Sequence, residues 1–332
     1  MKFVQDESIT PPPGVISSLK AGFDITANHI GIILFPILLD IFLWFGPRLS
    51  VNRLLAILKE NFTLLAREDL APAAEVERIQ ESIKLLMDLD VNLFSLLRTF
   101  PIGVSSLMAQ ALPGNTPLGV TDVQYLDNGF MLVFWIFALT LGGWLLGSLY
   151  FTWVAKISLN KETYDLSWAV KTIAQSFFFS VLWTLAIIVL GTPILVIFSI
   201  FGQINPTLAQ FALIFFALFA MWIIVPFFFS GHGIFTREEN LFRSIVNSFK
   251  LSRYTLPTSS FFVLGVLLLS QGFNVLWLVP ETSSWMMLVG ILGHAFITTA
   301  LLVASFIYYH DMYDWLEILF EKFDSKMTSA QA

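Results

Sequence analysis

FMLVFWIFALTLGGWLLGSLYFT (130–152) is a run of 23 residues without a single charged side chain. As a helix rising 1.5 Å per residue it extends about 35 Å, enough to cross the roughly 30 Å of hydrocarbon in a bilayer. Lipid offers no water to unpaired backbone groups, so a spanning segment must be a helix or a strand of a closed barrel. The run lacks the alternation of lumen-facing polar and lipid-facing apolar residues that a barrel strand needs. It reads as a transmembrane helix. Working outward, five further stretches read the same way: 31–46 (GIILFPILLDIFLWFG), 177–201, 208–230, 261–280 and 285–309. The whole chain agrees, being 56% hydrophobic and 13% charged with a mean hydropathy of +0.77, where soluble domains carry about a quarter charged residues. The expected fold is all-α: a polytopic bundle of six spans, with interfacial amphipathic helices and an extramembrane helical hairpin.

Orientation follows from the cations. Of the 18 Lys and Arg residues, 11 fall in the N-terminal segment, the 153–176 and 231–260 connectors and the C-terminal tail, while the short connectors 202–207 and 280–284 have none. The positive-inside rule then places both termini in the cytoplasm and the chain in the inner (plasma) membrane. Trp44, Trp135, Trp277 and Trp285 fall at outer ends, and Trp153, Tyr308 and Tyr309 at inner ends, as an aromatic belt would. Residues 1–46 form an entry unit, 47–129 an extracytoplasmic cap, 130–310 a five-span region, and 311–332 a tail. The opening residues show no apolar core with a small-residue cleavage site, so no removable signal is expected. Within the cap, Val51, Leu54, Leu55, Leu58, Phe62 and Leu65 repeat at helical spacing, as do Val76, Ile79, Ile83, Leu86, Phe94 and Leu97. Ala71-Pro72 separates the two patterns, which predicts a helical hairpin. The following 101–118 is apolar but broken by Pro and Gly, and reads as a cap on the outer face or a re-entrant segment.

One pattern recurs. Phe242, Ile245, Val246 and Phe249 form an i, i+3, i+4, i+7 stripe, with Thr236 and Glu239 as a capping box. Leu166, Ala169, Val170 and Ile173 repeat the stripe 76 residues earlier, and Ile16, Leu19 and Phe23 supply three of its four positions near the start, with Lys20 in the fourth. Each stripe precedes a span running from inside to outside, so the units form parallel repeats about an axis along the membrane normal. Apolar side chains of such helices dip into the acyl boundary while Lys161, Lys171, Arg237, Arg243, Lys250 and Arg253 meet lipid headgroups.

The stretch PFFFSGHGIFTREENLFRSIVNSFKLSRYTLPTSSFFVLGVLLL (226–269) joins a Pro-containing helix end, a polar turn, an Arg-Ser pair, an amphipathic helix and a span. Through Pro226, Arg243, Ser244, Phe249 and Lys250 it resembles bacterial six-helix membrane proteins similar to the membrane domain of glycerophosphoryl diester phosphodiesterases. That family commonly has an acidic residue where this chain has Gly231-His232-Gly233. Gly22-Phe23 and the span containing Pro36 resemble the sulfate-permease-like membrane family. Each resemblance covers half the chain or less and implies a membrane fold, without a catalytic residue.

The chemistry available is sparse. The chain has no cysteine, which removes disulfides, thiolate metal sites and cysteine nucleophiles. No dense basic patch suits a nucleic acid, and no GxSxG, HExxH, P-loop or Rossmann motif is present. No cofactor or metal is implied, and no enzyme activity is expected. Gly143 and Gly147 form a GxxxG pair, and Gly290 and Gly293 place small residues on the last span, so close intramolecular packing is expected of both. His232 between two glycines reads as a flexible turn. Ionisable groups inside a membrane are costly and therefore candidates for function. Asp40, Gln271 and His294 all fall near mid-span and could join one polar cluster with the backbone freed at Pro193. The competing reading is that Asp40 is neutralised locally, by Arg48 or Arg98, and fixes packing only. The chain is accordingly expected to be a non-catalytic scaffold, assembly or regulatory module. Its contacts would be the bilayer and an envelope partner met through 47–129. The alternative is a small-solute or anion transporter using the mid-span cluster. The oligomeric state is left open.

Overall fold

The computed structural model describes residues 11–67, 72–111, 114–160 and 166–331, leaving out the side chains of 65–67, 73, 206, 217–222 and 323–331. Among the described residues four helices are long and apolar enough to cross a membrane: α6 (Gly129–Ser158), α7 (Leu166–Ile204), α10 (Leu241–Trp277) and Met287–Lys322 of α11 (Met287–Gln331). A fifth appears if α1 (Val15–Asn28) and the helical stretch Ile30–Phe45, which meet at a bend of 95°, count as one span. The regular core of that stretch, α2 (Leu34–Phe45), has 12 residues. A further long helix, α8 (Pro206–Phe229), starts where Asn205 accepts the Thr207 N–H at 2.8 Å and Pro206 occupies the first turn, an N-terminus in which proline sacrifices no helix bond. The described residues are all-α apart from two small strand pairs.

The described chain separates into two compact units. The first comprises Met1–Ile32, Phe151–Gln271 and Ile297–Ala332. Its centre is aromatic: Phe229, Phe262, Phe306, Tyr308 and Tyr309 are fully buried, and the Phe262 and Tyr308 rings stack at 4.1 Å with 10° between their planes. Tyr308 and Tyr309 are therefore core residues and not members of an inner aromatic belt. The apolar stripes behave oppositely. Ile16, Leu166, Val170, Phe242, Val246 and Phe249 are exposed, and small polar residues fill the other side of the same helices. In matching register these are Ser18, Gly22 and Thr26 in α1, Trp168, Thr172 and Ser176 in α7, and Ser244, Ser248 and Ser252 in α10; all but the half-buried Trp168 are buried. Some of these hydroxyls bond back to their own helices, as Thr26 does to Gly22 O at 2.8 Å and Ser248 to Ser244 O at 2.9 Å, while Ser244 Oγ donates to Ser230 O at 2.7 Å; side chains this small leave a thin, uncharged face for a neighbouring helix. Gly22 shows how thin. A Cβ built there would lie 2.4 Å from Ala300 O and 2.8 Å from Ala304 N.

The three striped segments join their following helices differently. The first turns by 95° between α1 and the next helix, the third is kinked at Thr255 (φ −123°, ψ 16°) just before Pro257, and the second has no break at all. α7 runs through Leu166–Ile204 with Pro193 inside it, so no separate surface helix precedes the stretch expected to span at 177–201.

The second unit comprises Ile33–Tyr150 and Gly272–Phe296. The expected hairpin is present as α3 (Asn52–Arg67) and α4 (Ala73–Asp88), tied by the Gln80 amide donating to Thr63 Oγ1 at 2.8 Å. At its base lies an element the sequence does not announce. β1 (Arg48–Ser50) pairs in parallel with β4 (Val123–Tyr125), and Asn92 Oδ1 accepts the N–H groups of Leu49 and Phe94 at 3.0 and 3.1 Å. Beneath it pack Leu49, Leu93, Leu126 and Leu139. A second, antiparallel pair joins β2 (Asn115–Thr116) to β3 (Gly119–Val120). The glycines of α6 receive irregular backbone and not a helix: a Cβ on Gly147 would lie 2.5 Å from Gly103 Cα, and one on Gly143 2.7 Å from Leu97 O. On α11, Gly290 and Gly293 seat the Trp277 backbone and indole in the same way.

Candidate functional site

Asp40 sits on α2 among Pro36, Leu39, Leu43 and Trp44, and is fully buried. A buried carboxylate needs donors, and one short segment supplies them. Ser106 Oγ donates to Oδ1 at 2.5 Å, Met108 N to Oδ1 at 3.0 Å and Leu107 N to Oδ2 at 3.1 Å. Ser106 Oγ in turn accepts the Ala109 N–H at 3.0 Å. Asp40 thereby caps α5 (Met108–Ala111), a single turn, across 66 to 68 residues of chain. Around it Ile102, Val104, Leu107 and Met108 are all buried. Arg98 is the cation that acts on Asp40, through space. Arg48 is engaged elsewhere, 2.8 Å from an Asp90 carboxylate oxygen.

His294 belongs to the same unit and has a different partner, its Nδ1 lying 2.8 Å from Asn274 Oδ1. Arg98 acts on His294 as well as on Asp40. Gln271 and Pro193 belong to the first unit, and both are exposed. The buried amide near Gln271 on α10 is Asn274, three residues beyond it. A cleft of about 590 Å³ on the second unit is lined by Asn115, Pro280, Glu281, Thr282 and Met287 among others, and neither Asp40 nor His294 lines it.

A second polar centre lies in the first unit. Its first part is α9 (His232–Thr236) and the turn after it. His232 is buried, not a flexible turn: its Nε2 lies 2.9 Å from Ser305 Oγ, and Phe228, Phe229, Phe306 and Tyr309 surround its ring. The capping box expected of Thr236 and Glu239 does not form. Asn240 caps α10 instead, accepting the Arg243 N–H at 2.9 Å, while Thr236 Oγ1 bonds His232 O. Arg237, expected among headgroups, turns to the last helix. Its guanidinium donates to Asp314 at 2.6 Å and Glu317 at 2.8 Å, and lies 4.0 Å from the Tyr313 ring centroid. Burial pulls its pKa down, but the bonds to Glu317 and the charge of Asp314 outweigh that and raise it. Glu239 accepts from Asn247 Nδ2 at 2.6 Å. Gly233 lies against this carboxylate, and a Cβ there would crowd Glu239 Oε2, Ser244 Oγ and the Tyr309 hydroxyl.

Burial raises the pKa of Glu239 above its usual 4.5, against the lowering effects of Asn247 and Arg237. The sign of the linkage follows. The folded state binds this proton more tightly than the unfolded chain, so Glu239's contribution to stability is complete below the unfolded value. It is lost as pH rises through the folded one. Glu239→Gln is therefore expected to flatten the fall in stability between weakly acid and neutral pH. Unfolding followed in detergent across that range checks it, and an unchanged pH slope would count against it.

Of the cations expected at headgroups, Lys171, Arg243, Lys250 and Arg253 are exposed; Lys161 lies outside the described residues. Among the described residues no group of three or more His, Asp or Glu could hold a metal ion. Compared with known proteins, the chain matches no family model, no curated sequence and no solved structure.

Proposed function

We propose that this chain is a non-catalytic multi-pass protein of the inner membrane that serves as a scaffold, assembly or regulatory module. The reading takes α8 and the bent α1–α2 pair with the four clear candidates to make six spans, both termini cytoplasmic, and residues 47–129 as the outer contact surface. Its class is that of the six-helix membrane proteins that 226–269 resembles. The observation that carries it is Asp40. The one carboxylate of the first span engages both oxygens with Ser106, Leu107 and Met108, which is the work of an anchor. An irregular segment reaching Asp40, five residues from the end of α2, is tolerated in or near hydrocarbon only when other protein surrounds it. The burial of 102–108 meets that condition.

A second reading is favoured by Arg98. One cation acting on both Asp40 and His294 is the kind of centre an anion or small-solute transporter needs. Reconstituted vesicles separate the two. On the scaffold reading, flux across a broad panel of anions and small solutes equals that of empty vesicles. Cross-linking through single cysteines placed in 52–88 recovers one reproducible envelope partner. Flux abolished by His294→Ala in a folded protein would replace the scaffold reading with the transporter. Topology is checked separately in this cysteine-free chain: reagent added outside intact cells should label Ser82→Cys and spare Ser325→Cys.

A further inference from the structure

The third repeat differs from its two siblings in charge. On α10, Phe242, Arg243, Val246, Phe249, Lys250 and Arg253 are all exposed and fall within an arc of about 120° at 3.6 residues per turn. On the remaining arc Ser244, Asn247, Ser248, Leu251, Ser252 and Thr255 are buried, Ile245 is half-buried, and Tyr254 at its edge is exposed. The whole of Leu241–Trp277 contains no Asp or Glu. The matching exposed face of α1 has Lys20 offset by Asp24, and that of α7 has Lys171. Among the described residues Arg243, Lys250 and Arg253 form no ion pair within 4.0 Å, whereas Arg237 is taken by Asp314 and Glu317. Beyond the kink at Thr255 the exposed face changes character. Phe261, Leu264, Leu267 and Leu268 follow, all exposed and all apolar. One helix thus presents mixed cationic and apolar residues, then apolar ones alone, the order met in passing from lipid headgroups into acyl chains.

We propose that the exposed face of residues 242–253 is a docking surface for anionic phospholipid of the cytoplasmic leaflet, with Phe242, Val246 and Phe249 seated at the acyl boundary and Arg243, Lys250 and Arg253 on phosphate-bearing headgroups. The inference rests on the inside orientation argued above. It narrows headgroup contact from all three repeats to the third. Charge complementarity selects an anionic headgroup, and continuity with an apolar helix face selects a bilayer lipid over a soluble phosphate.

The test uses the purified full chain in nanodiscs of phosphatidylcholine with a minority of phosphatidylglycerol. Spin-labelled forms of each lipid report the fraction immobilised on the protein. The native chain should prefer phosphatidylglycerol by roughly fivefold for each cation the lipid meets, and lose the preference as salt is raised. Arg243→Gln, Lys250→Gln and Arg253→Gln combined should abolish the preference without moving the unfolding temperature; Lys20→Gln with Lys171→Gln should leave most of it. Equal immobilisation of the two lipids by the native chain overturns the proposal. So does a preference that survives the triple variant, or one erased by inorganic phosphate at constant ionic strength. Ser82→Cys and Ser325→Cys, labelled by impermeant reagent outside intact cells, show independently whether the orientation has failed.

Discussion

Asp40→Ala is expected to destabilise the protein by about 3–5 kcal/mol, because three donors that now meet one carboxylate would be left without an acceptor. Two effects compete. Removing the side chain abolishes the cost of burying a carboxylate, and that gain would dominate if its donors could turn to water. They cannot do so cheaply. Two are backbone N–H groups of Leu107 and Met108, and the third, Ser106 Oγ, is fully buried. Each stranded donor costs about 1–3 kcal/mol, so the loss wins. Asp40→Asn should fall between, retaining one acceptor but setting an amide NH2 against a donor. Unfolding in mild detergent followed by tryptophan fluorescence gives the ranking, and protease cleavage within 99–111 shows where the loosening begins. Native-like stability and cleavage of Asp40→Ala would falsify the anchor, and with it the main support for a structural reading.

Asp40 is legible in the sequence because an acidic residue inside an apolar run is costly and must find partners. Its partner is not. Ser106 stands 66 residues away in a segment with no helical or strand period, so nothing local marks it as a donor. His294 was legible for the same reason as Asp40, but on α10 the exposed Gln271 competed with the buried Asn274, and position along a span cannot tell which side of the helix faces inward. The three striped helices illustrate the limit most clearly. Their apolar stripes are readable at i, i+3, i+4, i+7, yet in a chain solvated by lipid an apolar stripe marks the outer surface as readily as the inner. The packed side was written in Ser18, Gly22 and Thr26 and in Ser244, Ser248 and Ser252, a four-residue spacing of small polar residues that in a soluble protein would read as surface. The strand pair β1–β4 stayed hidden because three residues per strand are too few to establish a period.

Gly22 gives the sharpest test of that packed side. Even Gly22→Ala would place a Cβ 2.4 Å from Ala300 O, 2.7 Å from Ala304 Cβ and 2.8 Å from Ala304 N. Two of these atoms are backbone of α11 and cannot swing aside like a side chain, so α1 must move away and surrender its contacts. Overpacking of this kind costs about 1–3 kcal/mol, more when backbone must shift, and Gly22→Leu should exceed the alanine variant. Ser248→Ala, at the matching position of α10, removes a hydroxyl bonded to its own helix at Ser244 O and should cost about 1 kcal/mol or less. The contrast separates close approach from hydrogen bonding as the reason small residues line these helices. Unfolding in detergent measures both variants, and earlier protease release of residues 1–28 should accompany the loss in Gly22→Ala alone. Were Gly22→Ala as stable as the native chain, or Ser248→Ala the more damaging of the two, hydroxyl bonding and not helix proximity would be what these faces provide.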